Sequence, residues 1–215
     1  MKKKSLLYST IIFIMKSIFK LLYRHKVYGL EHFTSGSALI AANHTSFLDP
    51  PAVAISCPSE IHFLARQSLF KSHFGTFITA LNSHPVKMES TNLQTIKEIC
   101  QLLKDGYKVL IFPEGTRSNE DVIQEIKPGM GIILSRSQSA ILPTYIHGTH
   151  AAWNRERKWP RLFGKTAVVF GSPLLWDHYA DMDRKEAQNR IASDLKNSLQ
   201  GLRQWYLSGA EGSPP

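Results

Sequence analysis

Short apolar runs alternate with longer helical patterns along most of this chain, and this alternation constrains the fold more than any other feature of the sequence. Runs that are apolar at consecutive positions indicate strands buried on both faces, as in parallel sheets. The six predicted strands cover 27–29, 37–42, 61–65, 107–112, 141–146 and 166–170. The predicted helices cover 51–57, 68–81, 91–104, 128–138 and 183–206. This order predicts an α/β fold, a single domain with a mainly parallel central sheet flanked by helices.

Positive charge is concentrated at the start of the chain. Residues 1–26 contain seven of the 26 basic residues and none of the 17 acidic residues, which leaves 19 basic residues for the remainder. The body of the protein is therefore nearly balanced, although the formal net charge of the chain is +9. Such a body lacks the broad basic face of a nucleic-acid-binding protein, so no nucleic acid is expected as a partner.

The same segment, residues 1–26, has the pattern of an amphipathic helix on a membrane surface. At 100° per residue, Lys16, Lys20 and Arg24 fall on one stripe. The opposite, apolar face consists of Leu7, Ile11, Met15, Ile18 and Leu22. The apolar run 6–15 is shorter than the roughly 20 residues that span a bilayer. We expect a membrane-anchoring helix that binds anionic lipids on the cytosolic face; a helix packed on the protein's own core and a secretory signal are the alternatives.

The rest of the chain is expected to form one domain over residues 27–207. The last residues, 208–215, read "SGAEGSPP" and have neither a helical nor a strand pattern, which predicts a disordered tail. The two cysteines, Cys57 and Cys100, have no C-x-x-C spacing and no histidine at metal-ligand spacing. They are expected to be buried free thiols, with no zinc site and no disulfide.

Two polar segments follow predicted strands, and both are expected at the edge of the sheet where ligands of such folds bind. In "AANHTSFLDP" the five-residue spacing can bring the Asp49 carboxylate to Nδ1 of His44 and so prepare a general base. A turn histidine followed by a helix cap is the alternative, because proline follows Asp49. Ser46 is not in a G-x-S-x-G elbow, so a hydroxyl of the substrate is the more economical target of the base.

The second segment is "FPEGTRS", residues 112–118. Gly115 permits a tight turn, and Arg117 offers a bidentate fork to a phosphate. Glu114 is unusual in an anion site unless it pairs with Arg117 or binds a substrate hydroxyl. A polar loop with a surface arginine is the alternative.

A third segment, "WNRERKWPRLFGK" at 153–165, carries five basic residues and one acidic residue between aromatic ones. This mixture suits a lipid headgroup surface. Single-stranded nucleic acid and an ordinary exposed loop are compatible with the same composition.

Taken in order, N-H-x-x-x-x-D at 43–49 and F-P-E-G-T-R-S at 112–118 resemble the glycerolipid acyltransferase family, most of all its 1-acyl-glycerol-3-phosphate (lysophosphatidate) acyltransferases. The resemblance implies that His44 is the base and that Asp49 orients it. It also implies that Glu114, Gly115, Thr116 and Arg117 form the segment that binds the glycerophosphate.

Two further positions follow from the resemblance. Pro143 in "ILPTYIHGT" matches the proline of the family's last motif, which is associated with acyl-donor binding or structure. In "SHPVKM", Met88 and Ser83 stand where the family usually has arginine and glycine. Lys87, one position before Met88, is the candidate replacement for the missing phosphate contact.

The implied reaction is transfer of a fatty acyl group from an acyl carrier protein or coenzyme A thioester to the free hydroxyl of 1-acyl-glycerol-3-phosphate. It needs no metal or redox cofactor, because a thioester is already activated. Another lysophospholipid or glycerol 3-phosphate is an alternative acceptor. A non-catalytic module that binds anionic lipids is the alternative outside the enzyme class.

Overall fold

The computed structural model describes residues 6–33, 35–71, 73–86, 93–120 and 122–215. The strands are β1 (Lys26–Tyr28), β2 (Ala38–Ala42), β3 (Ile61–Arg66), β4 (Ser83–Val86), β5 (Lys108–Ile111), β6 (Ala140–His147) and β7 (Ala167–Phe170). The α-helices are α1 (Leu6–Tyr23), α2 (Asp49–Ser56), α3 (His73–Ala80), α4 (Leu93–Lys104), α5 (Gly129–Ser137), α6 (Thr149–Trp153) and α7 (Arg184–Leu207). Short 3-10 turns cover Leu30–His32, Gln67–Lys71 and Trp176–His178.

The strands form one sheet in the order β1-β7-β6-β2-β5-β3-β4. Neighbouring strands are parallel except for β6 and β7, which are antiparallel. The predicted α/β fold with a mainly parallel sheet is therefore confirmed. The central strands are buried along their whole length, which explains their continuous apolar runs.

The region before β4 differs from the expectation. The pattern predicts one helix over 68–81, whereas the chain forms a 3-10 turn and then the shorter helix α3. A Cβ on Gly75 would lie 2.4 Å from Phe70 Cα, so the turn and α3 pack too closely for another residue at this position. The sequence pattern does not predict β4, because it is short and contains Pro85, which is tolerated at the edge of a sheet.

Helices cover both faces of the sheet. Alternate residues of a strand point to opposite faces, so Leu39 of β2 packs in one core cluster with α4, α5 and α7. Ile40 packs in the other cluster, with α1 and α2. Cys57 and Cys100 are buried and form no disulfide.

Helix α1 packs one side on the domain. Tyr8, Phe19 and Tyr23 are buried, and Met15 and Leu22 pack partly on the same core. The other side exposes six apolar side chains, Leu6, Leu7, Phe13, Ile14, Ile18 and Leu21. The apolar face expected from the sequence is therefore divided between core and surface.

Helix α1 also extends beyond the apolar run 6–15 of the sequence. It has 18 residues, and by length and composition alone it could cross a membrane. Core helices of soluble proteins and signal sequences meet the same criterion, so this is weak evidence for membrane association.

The last residues are placed differently from the expected disordered tail. The Pro215 carbonyl accepts from Ser172 N at 3.1 Å, and the Pro214 carbonyl lies 3.0 Å from His32 Nε2. These are contacts with distant parts of the chain, so local sequence periodicity gives no sign of them.

Candidate active site

The carboxyl ends of four adjacent strands, β6, β2, β5 and β3, lie at one edge of the sheet because these strands are parallel. His44 follows β2, Glu114 and Arg117 follow β5, Thr149 follows β6, and Arg66 ends β3. The sequence predicts that the loops after β2 and β5 share this edge. The structure also brings the ends of β6 and β3 to it.

The backbone of His44 joins the two expected loops. Its N–H donates to Glu114 Oε1 at 3.2 Å, and its carbonyl accepts from Ser118 N at 2.8 Å. The preceding residue, Asn43, donates to the carbonyl of Ile146 and accepts from its N–H, which ties the turn to β6. These bonds fix His44 between neighbouring strand ends.

His44 and Asp49 are in direct contact. His44 Nδ1 lies 2.8 Å from Asp49 Oδ2, and the imidazole stacks on the Phe112 ring with centroids 3.8 Å apart. No described residue hydrogen-bonds to Nε2, and 18% of the His44 side chain is exposed. An ionised carboxylate can only accept hydrogen bonds, so the pair favours a proton on Nδ1 and leaves a lone pair on Nε2.

Asp49 is fully buried and accepts further hydrogen bonds. Oδ2 also accepts from the N–H groups of Thr45 at 2.7 Å and Ser46 at 2.8 Å. All these donors lie in the turn that precedes Asp49, although Asp49 is the first residue of α2. The two prolines that follow Asp49 have no N–H to donate to it. Its carboxylate therefore holds the turn and the imidazole rather than capping the helix.

Thr149 contacts Asp49, although no motif of the sequence predicts this contact. Its hydroxyl donates to Asp49 Oδ1 at 2.6 Å, and both residues are fully buried. Thr149 begins α6, and only Gly148 separates it from the end of β6. The signal in the sequence is weak, a single threonine at the end of a strand, and only the strand order places it beside Asp49.

Glu114 is buried beside the His44 turn. Burial raises the pKa of its carboxyl group to about 7, the backbone N–H groups of His44 and Gln124 oppose this shift, and the nearby Asp49 charge adds to it. Its Oε2 atom is buried without a hydrogen-bond partner among the described residues. The sequence leaves open a pair between Glu114 and Arg117, but the described structure contains no such ion pair.

The Arg117 guanidinium lies over the Phe47 ring, with Cζ 3.7 Å from the ring centroid. Its Nη1 atom is buried, and no described residue accepts a hydrogen bond from it. Burial lowers the pKa of Arg117, Arg155 and Arg66 lower it further, and Asp49 opposes them. Three cations near one another with an unpaired donor form a site suited to an anion.

Gly115 forms the tight turn that the sequence predicts, with φ of 81°. A Cβ there would lie 2.5 Å from Lys127 Nζ, so the Lys127 side chain lies over the turn. Lys127 lies outside the motifs of the sequence, so no sequence pattern predicts it as part of the site. Thr116 is exposed at the surface of the same loop.

Of the other predicted residues, one lies outside the described part of the chain and one lies within the sheet. Lys87, like Met88, lies outside the residues that the structure describes. Pro143 is buried within β6, beside Ala41 of β2, and its carbonyl accepts from Gly171 N at 2.9 Å. Pro143 therefore lies inside the sheet, four residues before the carboxyl end of β6.

The arrangement combines a histidine with a free Nε2 atom, a buried carboxyl group with a free oxygen, and a set of cations. A hydroxyl placed at Nε2 could lose its proton while a neighbouring phosphate binds the cations. Within the described part of the chain, no group of three or more His, Cys, Asp or Glu side chains is arranged to hold a metal ion.

Comparison with known proteins identifies the family of the chain. A family model described as Acyltransferase matches residues 24–147. The 1-acyl-sn-glycerol-3-phosphate acyltransferase of Bacillus subtilis is 30% identical over 187 residues, which cover 82% of this chain and 90% of the relative. The chloroplastic 1-acyl-sn-glycerol-3-phosphate acyltransferase LPAT1 of Arabidopsis thaliana is 26% identical over 80% of this chain, which spans about half of that relative (49%).

The fold matches a solved structure as well. The crystal structure of the 1-acyl-sn-glycerophosphate (LPA) acyltransferase PlsC from Thermotoga maritima superposes with a TM-score of 0.73 at 21% identity, covering 94% of this chain and 84% of that one. The family model matches more than half of the chain, and the bacterial relative is matched along most of its length. The chain therefore belongs to the acyltransferase family and is an acyltransferase.

Proposed function

We propose that this acyltransferase transfers a fatty acyl group from an acyl thioester to the free hydroxyl of 1-acyl-glycerol-3-phosphate and so forms phosphatidate. The observation that carries the proposal is the His44–Asp49 pair, 2.8 Å apart, beside the Arg117 guanidinium with its unpaired Nη1. The names of the bacterial and chloroplastic relatives support the same acceptor.

In the proposed reaction, His44 Nε2 takes the proton of the acceptor hydroxyl while the hydroxyl oxygen attacks the carbonyl carbon of the thioester. The carbon–sulfur bond of the resulting tetrahedral intermediate then breaks. The departing thiolate takes the proton from His44 and leaves as a thiol, so the enzyme returns to its starting state. Asp49 holds the imidazole and stabilises its positive charge between the two proton transfers.

The remaining groups are proposed to bind the acceptor. Arg117 binds the phosphate, and Lys127 is close enough to the Gly115 turn to contribute a second positive charge. The free Oε2 atom of Glu114 is a hydrogen-bond partner for a glycerol oxygen. From the family resemblance, Thr116 and Lys87 are proposed to contact the acceptor. Pro143 is proposed, on the same basis, to contact the acyl donor.

A paired assay of the purified protein tests this function. Acyl carrier protein and coenzyme A thioesters are each combined with lysophosphatidate, glycerol 3-phosphate and lysophosphatidylcholine, and the products are identified by mass spectrometry. We expect phosphatidate to form fastest with lysophosphatidate. A higher kcat/KM with glycerol 3-phosphate or lysophosphatidylcholine would overturn the proposed acceptor. Comparing the two thioesters shows which of them is the acyl donor.

The protein is proposed to act at the cytosolic face of a membrane, with α1 lying on anionic lipids. Support comes from the six exposed apolar residues of α1 and from its content of two lysines and no acidic residue. The proposed acceptor carries a long acyl chain and therefore resides in the bilayer.

Replacing Arg117 should weaken acceptor binding more than chemistry. A charge-assisted hydrogen bond is worth about 1.5–3 kcal/mol, so Arg117→Ala should raise KM for lysophosphatidate about 10- to 100-fold. With monoacylglycerol, which lacks the phosphate, the variant and the parent should differ much less. Arg136→Ala, an exposed arginine of α5, is the matched control. Equal losses with both acceptors would contradict phosphate binding by Arg117.

Replacing Thr149 should lower kcat through Asp49. Thr149→Ala removes a hydrogen bond to a charged group, which predicts a loss of about tenfold or more in kcat with little change in KM. Thr149→Ser keeps the hydroxyl and should restore most of kcat. Thermal melts of both variants separate this effect from unfolding. If the serine variant is as slow as the alanine variant, the hydroxyl does not position Asp49.

A further inference from the structure

The loop over residues 154–165, here called the 154–165 loop, combines basic and exposed apolar side chains, most of which have no role in the proposed chemistry. Three of its apolar side chains are mostly exposed: Trp159 at 74%, Leu162 at 55% and Phe163 at 69%. Five basic residues and one acidic residue surround them. Exposed aromatic residues among cations are unusual in a surface loop that binds nothing.

The loop is joined to the end of α1 by backbone hydrogen bonds. Gly164 N donates to the Leu22 carbonyl at 3.0 Å, and Thr166 N donates to the Tyr23 carbonyl at 2.9 Å. Phe163 and Leu21 each directly precede one partner of the first bond, and both are mostly exposed. Exposed apolar side chains of the loop and of α1 therefore lie next to a hydrogen bond that joins the two segments.

The exposed side of α1 suits an apolar environment. Thr10 and Ser17, which lie between its apolar residues, donate their hydroxyl hydrogens to the carbonyls of Leu6 and Phe13. These hydroxyls already have partners within the helix, so contact with hydrocarbon leaves no hydroxyl hydrogen unpaired.

The other end of the loop reaches the active site. The carbonyl of Trp153, the residue before the loop, accepts from Ser46 Oγ at 2.6 Å and from Phe47 N at 3.3 Å. Arg155 is near enough to Arg117 to lower the pKa of its guanidinium. The loop thus connects the His44 turn with the exposed side of α1.

We propose that the 154–165 loop is a second membrane-contact element, which docks beside α1 on an anionic bilayer. Trp159, Leu162 and Phe163 enter the headgroup region, and the basic residues around them bind anionic headgroups. An anionic bilayer is the proposed partner because it complements the basic charge of the loop and because the loop is joined to α1. Docking of the loop would turn the active site toward an acceptor in the same leaflet. Only this last consequence rests on the proposed function.

Flotation of the full chain with phosphatidylcholine vesicles, with and without 30 mol% phosphatidylglycerol, tests the proposal. We expect the double variant Trp159→Ser/Phe163→Ser to bind the anionic vesicles at least tenfold more weakly than the parent. Arg157→Glu/Lys158→Glu should lose affinity for anionic vesicles and keep its affinity for neutral ones. The matched control Leu93→Ser/Leu207→Ser alters exposed leucines of α4 and α7, the helices on the opposite face of the sheet.

A second readout separates docking from catalysis. With a short-chain, monomeric acceptor, the Trp159→Ser/Phe163→Ser variant should keep the activity of the parent, whereas with vesicle-embedded acceptor it should be much slower. If the parent protein has no activity with the soluble acceptor, the proposed function is overturned. The vesicle-binding measurement then decides by itself whether the loop docks on the membrane. Vesicle binding equal to that of the leucine control would overturn the docking proposal. Unchanged vesicle binding with a raised KM for acyl carrier protein would also overturn it and assign the loop to the donor protein.

Discussion

His44→Ala is expected to reduce kcat by about 10²- to 10⁴-fold or more, because it removes the only proposed proton acceptor for the substrate hydroxyl. KM for lysophosphatidate should change little, since the proposed phosphate contacts are elsewhere. The fold should persist, because the backbone bonds of His44 to Glu114 and Ser118 do not depend on its side chain. Steady-state kinetics together with circular dichroism measure both outcomes.

His178→Ala is the control for this prediction, because His178 is exposed and distant in sequence from the site. It should have the activity of the parent. A His44→Ala variant that turns over at a near-normal rate while folded would remove the basis of the proposed mechanism.

Asp49→Ala is expected to lose both activity and stability. Without the carboxylate, the buried N–H groups of Thr45 and Ser46 and the Thr149 hydroxyl lose their acceptor. A buried donor left without a partner costs about 1–3 kcal/mol, so the free energy of unfolding should fall by several kcal/mol. The imidazole also loses the group that fixes its tautomer, which should reduce kcat by about 10²-fold or more.

Asp49→Asn separates these two effects. If the amide oxygen takes the place of Oδ2, it can accept the turn bonds, and the amide nitrogen can donate to Thr149, whose hydroxyl also accepts. The asparagine variant should therefore be more stable than the alanine variant in thermal melts while its kcat stays low. Parent-like kcat in a stable Asp49→Asn variant would mean that the charge of Asp49 is not required.

The fold was predictable where local pattern and burial agree. The continuous apolar runs of β2, β5, β6 and β7 correspond to strands at the centre of the sheet or next to it, because strands buried on both faces contain few polar residues. Strand β4 and the turn before α3 were not predictable in this way. Their conformations depend on an edge position in the sheet and on the close packing of Gly75 against Phe70.

Part of the site was also predictable from local sequence. His44 with Asp49, and Glu114 with Arg117, are close in sequence and follow predicted strands, so spacing and fold class place them together. Thr149 lies 100 residues after Asp49, and no periodic pattern connects them.

The sequence by itself determined the α/β class, the two polar segments at strand ends and the concentration of basic residues at the start of the chain, because these depend on local composition and periodicity. Only the tertiary structure decided which strands are neighbours, and hence which side chains meet. It directed the Asp49 carboxylate to the His44 turn and to Thr149, left Glu114 and Arg117 unpaired with each other, and joined the 154–165 loop to α1. Such contacts are set by the strand order and by long-range hydrogen bonds, which local sequence patterns do not encode.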